Sequence, residues 1–135
     1  MAKKSVKNYI YAVGRRKSVS ARVRLFKGNK ESLVNGDVIG KYFPGAIMRS
    51  KWVLPFSLTN TEGKYYVTVQ VLGGGKNGQL EATVHGISRA FAKAKDEFRA
   101  PLKSAGLLTR DARTRQRRMV GTGGKARRRK QSPKR

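Results

Sequence analysis

The chain has no cysteine, one histidine and seven carboxylate side chains in 135 residues, and each shortage closes off a class of chemistry. Without cysteine there is no disulfide staple, no thiolate metal site and no thiol nucleophile. His85 alone cannot build a His-rich metal cluster. The seven Asp and Glu are scattered, which argues against a two-carboxylate or metal-bound catalytic centre. No apolar run is long enough to span a bilayer, and neither a lipidation signal nor a secretory pattern occurs over residues 1–5. The expected location is therefore the cytoplasm, with no membrane partner.

What the chain has in excess is positive charge. Thirty-two Lys and Arg give a net charge of +25. That many like charges on one small domain repel one another. A polyanion relieves the repulsion, because each phosphate contact neutralises a cation and releases condensed counterions. Nucleic acid is the expected partner; an anionic membrane surface would call for a basic amphipathic helix or an anchor.

The charge is unevenly spread. Residues 1–108 carry twenty basic and six acidic side chains, whereas residues 109–135 carry twelve basic and one acidic. Apolar periodicity stops after Gly106-Leu107-Leu108. The expected organisation is a flexible lead over 1–8, one globular body over 9–108 and an extended basic arm over 109–135. The arm holds almost no apolar residue besides Met119 and Val120, so it cannot offset its own ordering entropy, and a partner is expected to order it.

Within the body, residues 9–13 form an aromatic and β-branched run expected to be a strand. Val19, Ala21, Val23 and Leu25 alternate with Ser20, Arg22 and Arg24, the pattern of a half-buried strand whose other face is basic. Gly28-Asn29 marks a turn, 32–34 a short strand ending at Asn35-Gly36-Asp37. Residues 38–43 and 46–53 are expected as short helices, broken at Pro44-Gly45 and stopped before Pro55. Over 64–72, Tyr65, Val67, Val69 and Val71 share one face of a strand. Leu80, Val84, Ile87, Phe91 and Ala94 then recur at helical spacing, placing His85, Arg89 and Lys93 on the polar side. Gly86 inside this helix costs about 1 kcal/mol relative to Ala, which predicts a close backbone approach there. Residues 98–104 form a second short helix, with Pro101 near its start and Gly106 as its stop.

Two loops are candidates for binding. Gly14-Arg15-Arg16-Lys17-Ser18 joins two strands; its cations can straddle phosphates, with Gly14 letting backbone N–H groups come close. The plain alternative is a solvated basic loop. Residues 73–78 lie between a strand and a helix N-terminus, where free N–H groups favour an anion. The run lacks the Gly-Lys-Ser/Thr ending of a nucleotide-binding phosphate loop. It fits a turn that lets RNA approach best, a merely structural turn next, and a mononucleotide site least. His85 has only Glu81 for a titratable neighbour on its helix, and is expected as a surface or RNA-contacting residue. Lys125-Ala126-Arg127-Arg128-Arg129-Lys130 resembles a nucleic-acid patch, and the excess of Arg over Lys in the arm leans toward structured RNA.

Taken in order, these blocks resemble the family of small-subunit ribosomal protein number nine. The likeness begins at Gly14-Arg15-Arg16-Lys17-Ser18 and Ala21-Arg22-Val23. It continues through Val34-Asn35-Gly36, Tyr42-Phe43, Gly73-Gly74-Gly75, Gly78-Gln79, His85-Gly86-Ile87 and Arg89-Ala90. It then follows Ala105-Gly106-Leu107-Leu108-Thr109-Arg110-Asp111, Arg113, Gly121 and Lys125-Ala126-Arg127-Arg128, closing on Lys134-Arg135. Family tails commonly carry an aromatic near the end, where this chain has Gln131-Ser132-Pro133.

The resemblance implies an α+β domain: a mixed sheet with helices packed on one face and a left-handed β-α-β crossover. It implies a structural, non-enzymatic protein of the small-subunit head, without cofactor or small-molecule substrate. Its partners would be small-subunit rRNA, neighbouring head proteins and the peptidyl-site tRNA. The expected rRNA-binding residues of the body are Arg15, Arg16, Lys17, Ser18, Arg22, Gly73, Gly74, Gly75, Lys76 and Arg89. Those of the arm are Arg110, Arg113, Arg117, Arg118, Lys125, Arg127, Arg128, Arg129 and Lys130. Lys134 and Arg135 are the expected tRNA-proximal pair, and the short N-terminus is of bacterial type.

Overall fold

Alternation along the strands decides where the sheet lies. In β2 (Val19–Lys27), Val19, Ala21, Val23 and Leu25 are buried, while Arg22 and Arg24 between them are exposed. In β5 (Tyr65–Leu72), Val67, Val69 and Val71 are buried on the same side. The two strands pair antiparallel, and β1 (Ile10–Arg16) pairs antiparallel with β2 across a turn at Lys17 and Ser18. On the far side β3 (Leu33–Val34) runs parallel to β5, and β4 (Asp37–Val38) closes a mixed sheet ordered β1-β2-β5-β3-β4. The computed structural model describes residues 8–117 and 119–121; the remaining lead and most of the arm lie outside the described residues.

The helices of the described residues gather on the apolar side of the sheet. The chain leaves β4 through α1 (Ile39–Tyr42) and α2 (Ala46–Leu58), which complete the crossover from β3 to β5. Next, α3 (Lys76–Ala94) lies against β1 and β2, with α2 packed on its back. A 3-10 turn at Asp96–Phe98 leads into α4 (Arg99–Ser104), where Leu102 is buried and Gly106, at φ 76°, ends the helix. Edge-to-face aromatic contacts join these layers. Phe91 of α3 meets Phe56 of α2 at 5.2 Å, Tyr65 of β5 at 5.6 Å and Phe98 at 5.8 Å between centroids. Phe91, fully buried at their centre, contributes about 1.5–3 kcal/mol.

Several sequence expectations need correction. The first strand continues past Val13 to Arg16, so only Lys17 and Ser18 form the turn. Asn35 and Gly36 both have positive φ, 51° and 88°, the signature of a tight hairpin turn. They reverse the chain into β4, so Val38 is in a strand rather than a helix. Helix α2 does not stop before Pro55 but runs through it to Leu58. Pro55 falls in the last turns and is buried with Phe56; its carbonyl accepts from the Thr59 amide and, at 2.8 Å, from the Thr59 hydroxyl. Apolar burial and these terminal bonds offset the one amide that proline lacks.

Candidate nucleic-acid interface

Two glycines bring β1 and α3 close together. A Cβ added to Gly14 would stand 1.9 Å from the Ala82 carbonyl oxygen and 2.4 Å from the Gly86 amide. One added to Gly86 would meet Val23 at 2.6 Å and the Gly14 amide at 3.0 Å. Strand β1 and helix α3 therefore touch backbone to backbone, as the mid-helix position of Gly86 led one to expect. The role expected for Gly14 is different from the observed one. It is buried under α3 and does not bring N–H groups toward a phosphate.

This contact places three side chains of α3 along the free edge of β1. His85 Nδ1 accepts from the Arg15 amide at 3.4 Å, Arg89 donates to the Val13 carbonyl, and Lys93 donates to the Tyr11 carbonyl at 3.1 Å. The spacing explains the fit. Four helical residues rise about 6 Å, and two strand residues advance about 6.6 Å. Residues 85, 89 and 93 thus meet 15, 13 and 11 in antiparallel order, and an otherwise open strand edge is covered. His85 is buried, contrary to its expected place on the surface. Burial, with the charges of Arg89 and Arg110, lowers its pKa from 6.5 against the opposing pull of the Leu108 backbone. A lowered pKa favours the neutral ring, which suits the acceptor role of Nδ1.

Arg16 performs a comparable task. Its side chain is only 12% exposed; Nε donates to Glu81 at 2.6 Å, Nη1 to the Arg113 carbonyl at 2.8 Å, and Nη2 lies 3.4 Å from Asp111. Asp111 also receives the Arg113 side chain and backbone amide, which hold its carboxyl well below the usual carboxylate range. The beginning of the arm is thereby tied to β1 and α3. Glu81, expected as a neighbour of His85, serves Arg16 instead.

At the other side of the turn, scattered sequence blocks converge. The Asn35 side chain bridges the Val71 amide and carbonyl, at 2.9 and 3.0 Å, and reaches the Tyr42 hydroxyl. Tyr42 donates to Gln79 Oε1 at 2.7 Å, and Gln79 Nε2 donates to the Gly73 carbonyl at 2.9 Å. This chain sets the glycine run, in which Gly73 and Gly74 have φ of 86° and 57°. Any side chain at Gly74 would also meet Val19 at 2.4 Å. Lys76 opens α3 with its ammonium 3.4 Å from the Tyr42 ring centroid and 3.1 Å from the Tyr42 carbonyl oxygen. A Cβ on Gly73 would meet the Ser18 carbonyl at 3.4 Å, so the two candidate loops form one continuous surface.

The expected site residues now fall into groups. Arg15, Lys17, Ser18, Gly73, Gly74 and Gly75 are exposed at this surface, while Arg22 is exposed on the sheet face opposite Gln70. Lys17 has φ 54°, a region that non-glycine residues seldom occupy. Lys76 and Arg89 are exposed but already engaged on the protein, and Arg16 is largely enclosed. Arg110, Arg113 and Arg117 lie in exposed chain without helix or strand, with Arg113 held by Asp111. Arg118, Lys125, Arg127, Arg128, Arg129, Lys130, Lys134 and Arg135 lie outside the described residues. Sequence reasoning missed the Asn35–Tyr42–Gln79 chain and the edge stitching. The matched spacings of 85/89/93 and 11/13/15 could have signalled the latter. Among the described residues no group of three His, Cys, Asp or Glu could hold a metal, and no helix is long and apolar enough to cross a membrane.

A mixed sheet with helices on one side, and a basic surface of two glycine-flanked loops at one end, defines a small α+β domain built to face a polyanion. The comparison with known families is specific. Residues 14–135 match the family of ribosomal protein S9/S16, and the chain belongs to it. It is accordingly a structural ribosomal protein that binds rRNA.

Proposed function

We propose that this chain is the S9-type member of that family, of bacterial type, and a constituent of the small-subunit head in the cytoplasmic ribosome. Its body grips head rRNA with Arg15, Lys17, Ser18, Arg22 and the glycine run, beside neighbouring head proteins. Its arm, through Arg110, Arg117 and the cluster from Lys125 to Lys130, neutralises phosphates further inside the particle. Lys134 and Arg135 reach the peptidyl-site tRNA. The observation that carries this reading is the continuity of the two loops at Ser18 and Gly73, because it gathers signatures far apart in the chain into one cationic surface.

Reach does not oppose the tail assignment. From Thr109 to Arg135 a fully extended chain spans up to about 90 Å at roughly 3.3–3.6 Å per residue. Two point charges on a phosphate backbone carry little base information, so the effect on different tRNAs should be similar. Deleting residues 132–135 should leave the yield of rebuilt small subunits nearly intact and speed tRNA dissociation from the peptidyl site. Collapsed yield with unchanged tRNA release would make the terminal pair an assembly element and overturn the tRNA assignment.

A further inference from the structure

The side of the sheet that faces away from the helices carries a second surface, which Arg22 shares with the rRNA-binding set already proposed. Cross-strand register places Tyr11 opposite Arg24, Arg24 opposite Thr68, and Arg22 opposite Gln70. These side chains line a shallow groove across β1, β2 and β5. The strand positions that share this face hold no carboxylate, so its charge is of one sign. One end of the face is a preformed aromatic stack. Phe26 and Tyr66 lie 5.1 Å apart and 9° from parallel, Tyr9 meets Phe26 at 5.5 Å, and Arg24 covers the Tyr9 ring at 5.1 Å. Tyr11 is different. Its ring stacks on no other among the described residues, and it is 41% exposed opposite Arg24.

We propose that this open face binds unpaired nucleotides of RNA, with Tyr11 stacking on a base and Arg22 and Arg24 holding the flanking phosphates. The proposal rests on the rRNA-binding reading and adds to it a second contact of a different chemical kind. The loops offer cations and backbone to phosphates, which paired and unpaired RNA present alike. The sheet face offers an unstacked ring, and a base must leave its own stack to use it. Regular A-form helices hide their base faces, so single-stranded loops and bulges are the fitting ligand. A protein partner would have to bring carboxylates to both arginines, whereas an RNA strand presents a phosphate at every nucleotide beside the base that Tyr11 stacks on. The polar Thr68 and Gln70, across β2 from Tyr11 in the same groove, can meet base edges.

The test uses full-length protein and refolded small-subunit rRNA. Tyr11→Thr keeps a strand-forming residue and removes the ring; Tyr11→Phe keeps the ring. Loss of one stacked base should weaken Kd about tenfold for Tyr11→Thr. Tyr11→Phe should stay within about twofold of the parent on the same stacking basis. The salt dependence of Tyr11→Thr should be unchanged, whereas Arg22→Gln and Arg24→Gln should each flatten the slope by about 0.7–0.9.

Because the chain has no cysteine, an iron chelate can be tethered at one chosen thiol. From Gln70→Cys, hydroxyl-radical cleavage should fall on unpaired nucleotides. Parent-like affinity of Tyr11→Thr, or cleavage from Lys17→Cys with none from Gln70→Cys, overturns the sheet-face site and leaves the loop reading standing. Cleavage from Gln70→Cys confined to paired RNA overturns stacking. Loss of a neighbouring protein from particles rebuilt with Tyr11→Thr, at unchanged rRNA affinity, assigns the face to a protein instead. Absence of rRNA binding by the parent protein fails the underlying reading itself.

Discussion

Arg15 and Arg16 are adjacent in sequence and belong to opposite regions of the molecule. Arg15 is exposed on the open side of β1, while Arg16 points to the helical side and is enclosed by Glu81, Asp111 and the Arg113 carbonyl. The same division separates larger sets. At the seam between β1 and α3, Arg16, Arg89 and Lys93 spend their donors on the protein's own backbone and carboxylates. On the turn and open face, Arg15, Lys17, Arg22 and Arg24 are exposed around polar and aromatic neighbours. Among the described residues these cations therefore form two populations: those that hold the strand edge and the arm's beginning, and those left for a polyanion. The difference follows from strand geometry, since successive side chains point to opposite faces.

The seam is where substitution should cost most. Gly14→Ala places a methyl group against the Ala82 carbonyl and the Gly86 amide, neither of which can move without displacing α3. Overpacking of this kind costs about 3 kcal/mol at the upper end of its usual range. The expected result in urea is a midpoint lowered accordingly, with rRNA binding lost only as folding is lost. A variant within about 0.5 kcal/mol of the parent, the usual range for neutral surface changes, would show that the two backbones are not in contact.

A smaller effect at the same seam comes from His85. Its pKa is lowered chiefly by burial, so the folded protein favours the neutral ring more than the unfolded chain does. The associated stability is fully present above the unfolded value of 6.5. As pH falls below that, the unfolded chain takes up the proton first and stability declines, until the folded pKa is passed. The slope cannot exceed about 1.4 kcal/mol per pH unit for one proton. His85→Asn keeps an acceptor near Nδ1 and removes the titration. Chemical denaturation between pH 7.5 and about 5 should therefore show the parent losing stability relative to the variant. Parallel pH profiles would mean that the ring titrates freely.

These regions also mark how far the residues could be interpreted before folding. The alternation in β2 and β5 and the apolar stripe of α3 were legible because each is a local repeat imposed by one buried face. Gly86 was legible as a close approach through its helical cost. Its partner was not, because nothing near Gly14 in sequence says that residue 82 will lie above it. Strand β4 has two residues, too few to display alternation, and Pro55 was given its usual breaking role although tertiary burial overrides it. The nearness of the two loops to each other was not legible, because Ser18 and Gly73 lie far apart in the chain. Which of their cations remain free depends on whether a side chain faces the helices or solvent, and that follows only once β1 is known to extend to Arg16.

The sharpest check on the two populations is the neighbouring pair itself, where the effects on stability are smallest. Arg16→Met preserves most of the apolar stem and leaves Glu81 without its partner. A charge-assisted bond at a partly exposed site of this kind is worth about 1 kcal/mol. Losing the tie to Asp111 and to the Arg113 carbonyl should also speed trypsin cleavage after Arg110 and Arg113. Arg15→Ala should change stability by less than about 0.5 kcal/mol, because its side chain is exposed and its edge contact with His85 uses the backbone amide. On rRNA the order reverses. Arg15→Ala should flatten the salt dependence by about 0.7–0.9 in slope, and Arg15→Ala with Lys17→Ala by about twice that. Arg16→Met should leave the slope unchanged within error, since its guanidinium is already neutralised by the protein. Equal slopes for the Arg15 and Arg16 variants would mean that RNA opens the seam and takes Arg16 from Glu81, and the division drawn between the two regions would then hold only for the free protein.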